Sequence, residues 1–201
     1  MFANRFLAAF GTAMERLDRS AIERMAGDLA QVRQRGGRLF ILGSGGGAGH
    51  ASHAVNDFRK ICGFEAYSPS DNVSELTARI NDEGWDDCYA RWLEGSRLRA
   101  ADGLLVFSVG GGSEVPAVSI NLVRAMQRAR AVGATITGIV GRTGGLTAEL
   151  ADSCCVVPTV EDGLITPIVE GMQAVVWHLL VAHPALSRQA GRWEQLAAAT
   201  A

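Results

Sequence analysis

The stretch "GSGGGAGHASHAVND" (43–57) puts a glycine run, His50, His53 and Asp57 close together along the chain. His53 and Asp57 are four apart, so a helix carries both on one face, with His50 about a turn earlier near the same line. Ala51, Ala54, Val55 and Phe58 around them are apolar, which predicts a packed helix whose polar residues need partners. Later, "EGMQAVVWH" (170–178) holds Glu170 and His178, eight apart and near one face of a second helix. His178 stands in an apolar run that predicts a buried imidazole. Side by side, His53, Asp57, Glu170 and His178 make either an N/O-ligated divalent metal site or an acid–base pair. The sequence leaves both readings open.

Two glycine loops accompany these groups. In "LFILGSGGGAG" an apolar run passes into Ser44, Gly45, Gly46 and Gly47 and then a helix, so backbone N–H groups and the positive helix end converge on an anion. "LLVFSVGGGSEVP" repeats the design with Ser108, Gly110, Gly111, Gly112 and Ser113, before a helix expected to carry Pro116 in its first turn. Glycine-rich turns also serve tight packing, but two of them after neighbouring strands lie together at the carboxyl edge of an open sheet, where ligands bind. A Rossmann nucleotide site is disfavoured because no acid closes the second strand, Glu65 falling early and Asp71 late. No Gly-Lys-Ser or Gly-Lys-Thr marks a phosphate loop of the nucleotide-hydrolase kind.

The elements that must hold these groups follow from the spacing of apolar residues. Helical periodicity from Phe2 to about Val32, broken near Asp18–Ser20, predicts two opening helices ended by "RGG" at 35–37. Short apolar runs at 38–43, 64–68, 103–109, 135–141 and 153–158 alternate with helical patterns. This is the sign of a doubly wound α/β fold, three layers around five mainly parallel strands. One helix closes on Gly133, a long one stops at Pro184, and the tail 185–201 reads as a short helix. The polar stretch 70–87 is expected to form a short helix and loop over the ligand edge. One domain of 1–201 results: opening helices (1–35), sheet and flanking helices (38–183), and tail.

Composition narrows the partners. With 201 residues, 48% hydrophobic, the chain can bury one substantial core. A formal charge of −2 and no basic run disfavour nucleic acid and point to a small polar or anionic metabolite. Cys62, Cys88, Cys154 and Cys155 lack metal-ligand spacing and suggest a reducing compartment. No uninterrupted run of about 18 apolar residues predicts a membrane span, so the expectation is a soluble, cytoplasmic protein with no membrane partner.

Taken together, these motifs resemble the sugar isomerase (SIS) domain, of flavodoxin-like architecture, and within it the bacterial phosphoheptose isomerases. The family's "GNGGS" loop stands here as "GSGGG" (43–47), and its histidine and glutamate four apart match His53 and Asp57. Its "GND" with a nearby aromatic is similar to "INDEGW", which implies that Asn81, Asp82 and Trp85 lie beside the substrate. Its serine-rich loop "STSGNS" matches "SVGGGS" (108–113), and its last helix implies Glu170 and His178 as partners. The chain departs from the family at Asp57, one methylene shorter than glutamate, and at Ser44, Gly47, Val109 and Gly110, where asparagine or hydroxyl residues are usual. Phosphate binding then rests on Ser108, Ser113 and backbone N–H groups.

The resemblance implies conversion of sedoheptulose 7-phosphate to D-glycero-D-manno-heptose 7-phosphate through an enediolate, with Asp57 and His178 transferring the proton. It implies one zinc per subunit on His53, Asp57, Glu170 and His178. It also implies a homotetramer, for which Phe2, Phe6, Leu7 and Phe10 offer an apolar face. A non-catalytic SIS sugar-phosphate sensor or scaffold is the competing expectation, but it has no need of all four polar residues. An aminosugar-phosphate isomerase is disfavoured because those enzymes usually carry two SIS repeats.

Overall fold

A computed structural model describes residues 1–192 and 195. Five strands, β1 (Leu39–Gly43), β2 (Ala66–Tyr67), β3 (Gly103–Ser108), β4 (Thr135–Val140) and β5 (Ser153–Val156), form one all-parallel sheet in the order β2-β1-β3-β4-β5. The helices are α1 (Phe2–Glu15), α2 (Arg19–Gln34), α3 (Gly46–Lys60), α4 (Val73–Glu83), α5 (Cys88–Gly95), α6 (Ile120–Val132), α7 (Gly145–Leu150) and α8 (Ile165–Ala182). The apolar runs at the five expected places are therefore strands, and the order is the flavodoxin-like one with its switch point between β1 and β3.

The two-residue period of the strands sorts the core into two layers. Leu39, Ile41, Leu105, Phe107 and Ile139 face a cluster that includes Met25 and Leu29 of α2, Phe58 of α3 and Met172 and Val176 of α8. Phe40, Leu42, Leu104, Val106 and Ile136 face Trp92 and Leu93 of α5 and Leu122 and Met126 of α6. Helix ends follow local chemistry. Asp18 accepts from Ala21 N–H to start α2, Asn72 accepts from Ser74 and Glu75 N–H to start α4, and Gly133, at φ 76°, ends α6. α8 is long and apolar enough to cross a bilayer by composition, yet Ile168, Met172, Val176 and Leu180 bury its inner stripe in the core. Phe6 and Phe10 also turn inward, Phe10 lying over Gly171, so of the four aromatic and aliphatic residues expected to face another subunit only Phe2 and Leu7 are exposed.

Two local expectations need correction. Pro116 is outside α6: Ser113 and Val118 exchange two backbone hydrogen bonds that close a loop over 113–118, and the helix starts only at Ile120. The tail does not continue as a helix from 185. Residues 184–186 form a turn held by the Arg33 guanidinium, which donates to the carbonyls of Ala185, Leu186 and Cys62, while Arg188 N–H donates to Ile61 O. Residues 193, 194 and 196–201 of that expected helix lie outside the described residues. The stretch after Asp71 does form a helix, α4, which packs chiefly on α5.

At the amino edge of the sheet Asp102 is fully buried and accepts from Arg38 N (2.9 Å), Arg38 Nη2 (2.7 Å) and Arg99 N (3.0 Å). Arg38 continues to the carbonyls of Ser96 and Arg97, tying the start of β1 to the turn before β3. Burial alone raises the Asp102 carboxyl, but the hydrogen bonds from Arg38 and Arg99 outweigh it and hold the group below the usual carboxylate range. Removing one partner of such a buried pair costs about 3–5 kcal/mol, and Asp102→Ala is expected to lose that much in urea unfolding. Because the folded-state value is depressed, this stabilisation is complete above the unfolded value of about 3.9 and is lost as pH falls through the lower folded value. Wild type should therefore lose more stability than Asp102→Asn as the solution is acidified below about pH 4. A parallel acid dependence of the two proteins would rule this account out.

Candidate functional site

β1, β3 and β4 end level, with Gly43 opposite Phe107 and Ser108 opposite Val140, so the loops after them open at one edge. There they line a cavity of about 550 Å³ with Ser44, Ser108, Gly110, Gly112, Ser113, Ser119 and Arg142 among its walls. The second glycine loop supplies most of it. Ser108 Oγ accepts from Gly111 N–H at 3.0 Å, which leaves the Ser108 hydroxyl hydrogen free to donate to a ligand and spends the Gly111 N–H internally. The N–H groups of Gly110 and Gly112 have no acceptor among the described residues, and both glycines line the cavity. Gly111 is instead a packing residue: a Cβ there would lie 1.8 Å from Gly144 O, and its own carbonyl accepts from Thr147 N–H and Thr147 Oγ1.

The first loop contributes Ser44, held by Asn121 Nδ2 at 3.1 Å, while its glycines make room for neighbours. A Cβ on Gly43 would strike Gly47 O, one on Gly47 would reach Phe107 O at 3.0 Å, and one on Gly46 would collide with the Glu170 carboxylate. Tyr89, whose phenol is pushed up to about 12 by burial, donates to Gly43 O at 2.7 Å and anchors this turn. Gly45, Gly46 and Gly47, expected as anion ligands, are thus outside the cavity wall; close packing explains Gly46 and Gly47, and a φ of 58° with open space around it explains Gly45.

Deeper along α3 the expected histidine and carboxylate do meet their partner. His53 Nε2 is 3.5 Å and His178 Nε2 3.6 Å from Asp57 Oδ2, and one donor atom from each of the three residues lies within 4.8 Å of the others. Asp57 is 7% exposed; Asn56 Nδ2 donates to its Oδ1 and Trp177 Nε1 to its Oδ2. Two imidazoles and a carboxylate form the mixed N/O donor set that suits a divalent cation, and they equally suit proton transfer.

Glu170 is not in this cluster. Eight positions along a helix rise about 12 Å, so Glu170 reaches the glycine loop while His178 reaches Asp57. His178 is also half exposed rather than buried, since the apolar run around it includes Val175 and Leu179 on the outer face. His50 bonds to Gln173 Oε1 through Nδ1 at 3.0 Å, and its ring lies against Phe107 and Trp177, linking cavity and cluster. Asn81, Asp82 and Trp85 are exposed and do not line the cavity in the single chain.

Trp177, Asn121, Gln173 and Arg142 are site residues that the sequence reading passed over. Only Arg142 left a signal, since "GRTGG" after β4 is a third glycine turn following a strand. The stacking of loops gives a test. Gly36→Ala, at φ 68° with open space around the added methyl, is expected to cost about 1–2 kcal/mol for its left-handed backbone. Gly111→Ala, at φ 76° and blocked by the Gly144 carbonyl, should cost clearly more in urea unfolding. Equal costs would mean that the 141–145 turn yields and does not brace the loop.

Comparison with known proteins places this arrangement. A family model described as the SIS domain matches residues 4–141. A phosphoheptose isomerase of Rhodospirillum rubrum is 30% identical over 165 residues, 80% of this chain and 82% of its own length. The lincomycin biosynthesis protein LmbN of Streptomyces lincolnensis is 33% identical over 159 residues, 74% of this chain but only 56% of its own length. A phosphoheptose isomerase structure from Francisella tularensis superposes with a TM-score of 0.76 at 19% identity, over 90% of this chain and 92% of that one, which shows a shared fold. The family match covers more than half of the chain, and this chain belongs to the SIS-domain family, among its phosphoheptose isomerase relatives.

Proposed function

We propose that this chain is an aldose–ketose isomerase that converts sedoheptulose 7-phosphate to D-glycero-D-manno-heptose 7-phosphate. The observation that carries this reading is the gathering of His53 and His178 on the buried Asp57 carboxylate. A non-catalytic sugar-phosphate-binding module has no use for that cluster. Phe107 ties it to the cavity, because Phe107 is among the lining residues and its ring lies tilted at 5.7 Å from that of Trp177, whose indole touches both histidines of the cluster. A sugar with its phosphate at one end and its carbonyl at the other matches an anion cradle at one end and proton-transfer groups at the other.

Ser108, Ser113 and Ser44 hydroxyls, with Gly110 and Gly112 N–H, hold the phosphate. Asp57 takes the proton from C1 of the ketose; the electron pair becomes the C1–C2 double bond, and the C2 oxygen takes a proton from His178. The O1 proton then passes to His178 as the C1 carbonyl forms, and Asp57 returns its proton to C2. His53 and Trp177 keep the Asp57 carboxylate oriented. Glu170, whose carboxylate lies beside Gly46, binds a substrate hydroxyl in this reading.

The donor set of His53, Asp57 and His178 fits one zinc per subunit, three protein ligands being the number found in catalytic zinc sites. A bound zinc would act as a Lewis acid on the carbonyl oxygen. The reading extends to a cytoplasmic homotetramer of single SIS domains: Met14 of α1 and Val175 and Leu179 of α8 are exposed around a groove of about 300 Å³, and Phe2 and Leu7 are exposed elsewhere on α1.

Purified protein is expected to convert sedoheptulose 7-phosphate, with Asp57→Asn and His178→Gln each lowering kcat/KM by about 10²–10⁴-fold. No turnover by wild type, with or without added zinc, would reject the isomerase reading. Full activity in chelator and no stoichiometric metal would remove zinc and leave the acid–base pair. Light scattering at micromolar concentration should give four times the chain mass of 21.3 kDa, and a monomer there would reject the assembly.

A further inference from the structure

The loops that form the cavity supply hydroxyl and N–H donors but no charge, although a sugar phosphate brings close to two negative charges. Of all the lining residues, Arg142 alone carries a cation. It stands in the turn after β4, which is fastened to the second glycine loop: Gly141 N–H donates to Val109 O, Leu146 N–H to Gly112 O and Thr147 N–H to Gly111 O. The aliphatic part of Arg142 lies over Gly110, where an added Cβ would sit 3.7 Å from Arg142 Cδ. Among the described residues its guanidinium has no ion pair or hydrogen bond, unlike Arg38, Arg79 and Arg130, which are all paired.

The backbone adds an independent observation. Arg142 has φ 54°, a left-handed conformation that disfavours a side chain, and glycines occupy the same turn at 141, 144 and 145. A turn that already uses glycine freely has no folding reason to place an arginine at its left-handed position. Strain of this kind persists where the side chain is needed for a ligand. The second loop here also carries Val109 and Gly110 and so offers few hydroxyls for an anion.

We infer that Arg142 is the phosphate-binding cation of this site, supplying from the third glycine turn the charge that the first two lack, and so selects phosphorylated over unphosphorylated sugars. The guanidinium fork suits two phosphate oxygens at once, while the Gly110 and Gly112 N–H groups and the Ser108 hydroxyl approach from the other loop. This inference rests on the isomerase reading for its substrate but not for its anion.

The test uses the full chain and three variants, Arg142→Gln, Arg142→Lys and Arg142→Gly, assayed with sedoheptulose 7-phosphate and with inorganic phosphate as a competitive ligand. Arg142→Gln is expected to raise KM by 10-fold or more with kcat changed less than about threefold, and to weaken phosphate inhibition in parallel. Arg142→Lys should recover part of the loss as a point charge. Arg142→Gly should keep or raise the melting temperature, because it relieves the left-handed backbone, while losing phosphate binding as Arg142→Gln does; this separates a binding role from a structural one. Unchanged KM and unchanged phosphate inhibition in Arg142→Gln overturn the inference and leave the isomerase reading standing. If wild type turns over no sugar phosphate, yet calorimetry shows phosphate binding that Arg142→Gln abolishes, the cation role holds and the isomerase reading falls.

Discussion

The indole of Trp177 fixes where α3 and α8 meet, and the polar chemistry of the molecule depends on that contact. Its ring packs against Phe107 of the sheet at 5.7 Å, against His50 at 5.0 Å, against His53 at 5.3 Å and against His178 at 4.7 Å, while Nε1 donates to Asp57 Oδ2. A carboxylate that is 7% exposed is costly unless hydrogen-bonded, and the indole N–H helps to meet that requirement without placing a second charge in the core. The same side chain thus satisfies the packing of two helices on the sheet and orients the group that two imidazoles share. A smaller aliphatic residue could fill part of the space but could not donate the hydrogen bond.

Stability and chemistry are divided between opposite edges of the sheet. At the amino edge Asp102 and Arg38 are fully engaged with each other and with backbone groups, leaving nothing for a ligand. At the carboxyl edge donors remain unspent among the described residues: Gly110, Gly112 and Ser108 line the cavity, and neither the two glycine N–H groups nor the Ser108 hydroxyl hydrogen has an acceptor. A parallel sheet makes this division natural, because every strand delivers its following loop to the same edge and every preceding turn to the other. The buried thiols belong to the structural side. Burial pushes Cys62 and Cys155 up to about 11, so they remain neutral core groups at physiological pH and offer no thiolate nucleophile.

Much of the frame was legible in the sequence because its signals are local. Central parallel strands are apolar runs bounded by turns, and "RLFILG", "GLLVFSV" and "TITGIVG" all appear as β1, β3 and β4 within a residue or two. The i,i+4 pairing of His53 and Asp57 was equally legible, being a property of one helix. What depended on tertiary geometry was not. The outer face of α8 is itself apolar at Val175 and Leu179, so the composition around His178 concealed its exposure. Glu170 and His178 share roughly one face, but the rise between them sends one to the glycine loop and the other to Asp57. Pro116 reads as a helix start, yet the Ser113–Val118 backbone bridge captures those residues first. The ligand contribution of Arg142 depends on three loops being stacked, which no single stretch encodes.

That stacking also explains why the two glycine runs look alike and do different work. In the first, Gly43, Gly46 and Gly47 are small because Gly47 O, the Glu170 carboxylate and the Phe107 carbonyl occupy the space where side chains would go. In the second, Gly111 is small because the turn after β4 presses on it, and Gly110 and Gly112 line the cavity with N–H groups that have no acceptor among the described residues. A glycine-rich strand-to-helix turn therefore combines two requirements that sequence cannot separate: close approach of backbones, and exposure of donors. Close approach comes first physically, since the donors converge on one point only when the loops are packed tightly enough to aim them. Any side chain at Gly111 would alter the aim of its neighbours even though the Gly111 N–H, already spent on Ser108, never meets the ligand.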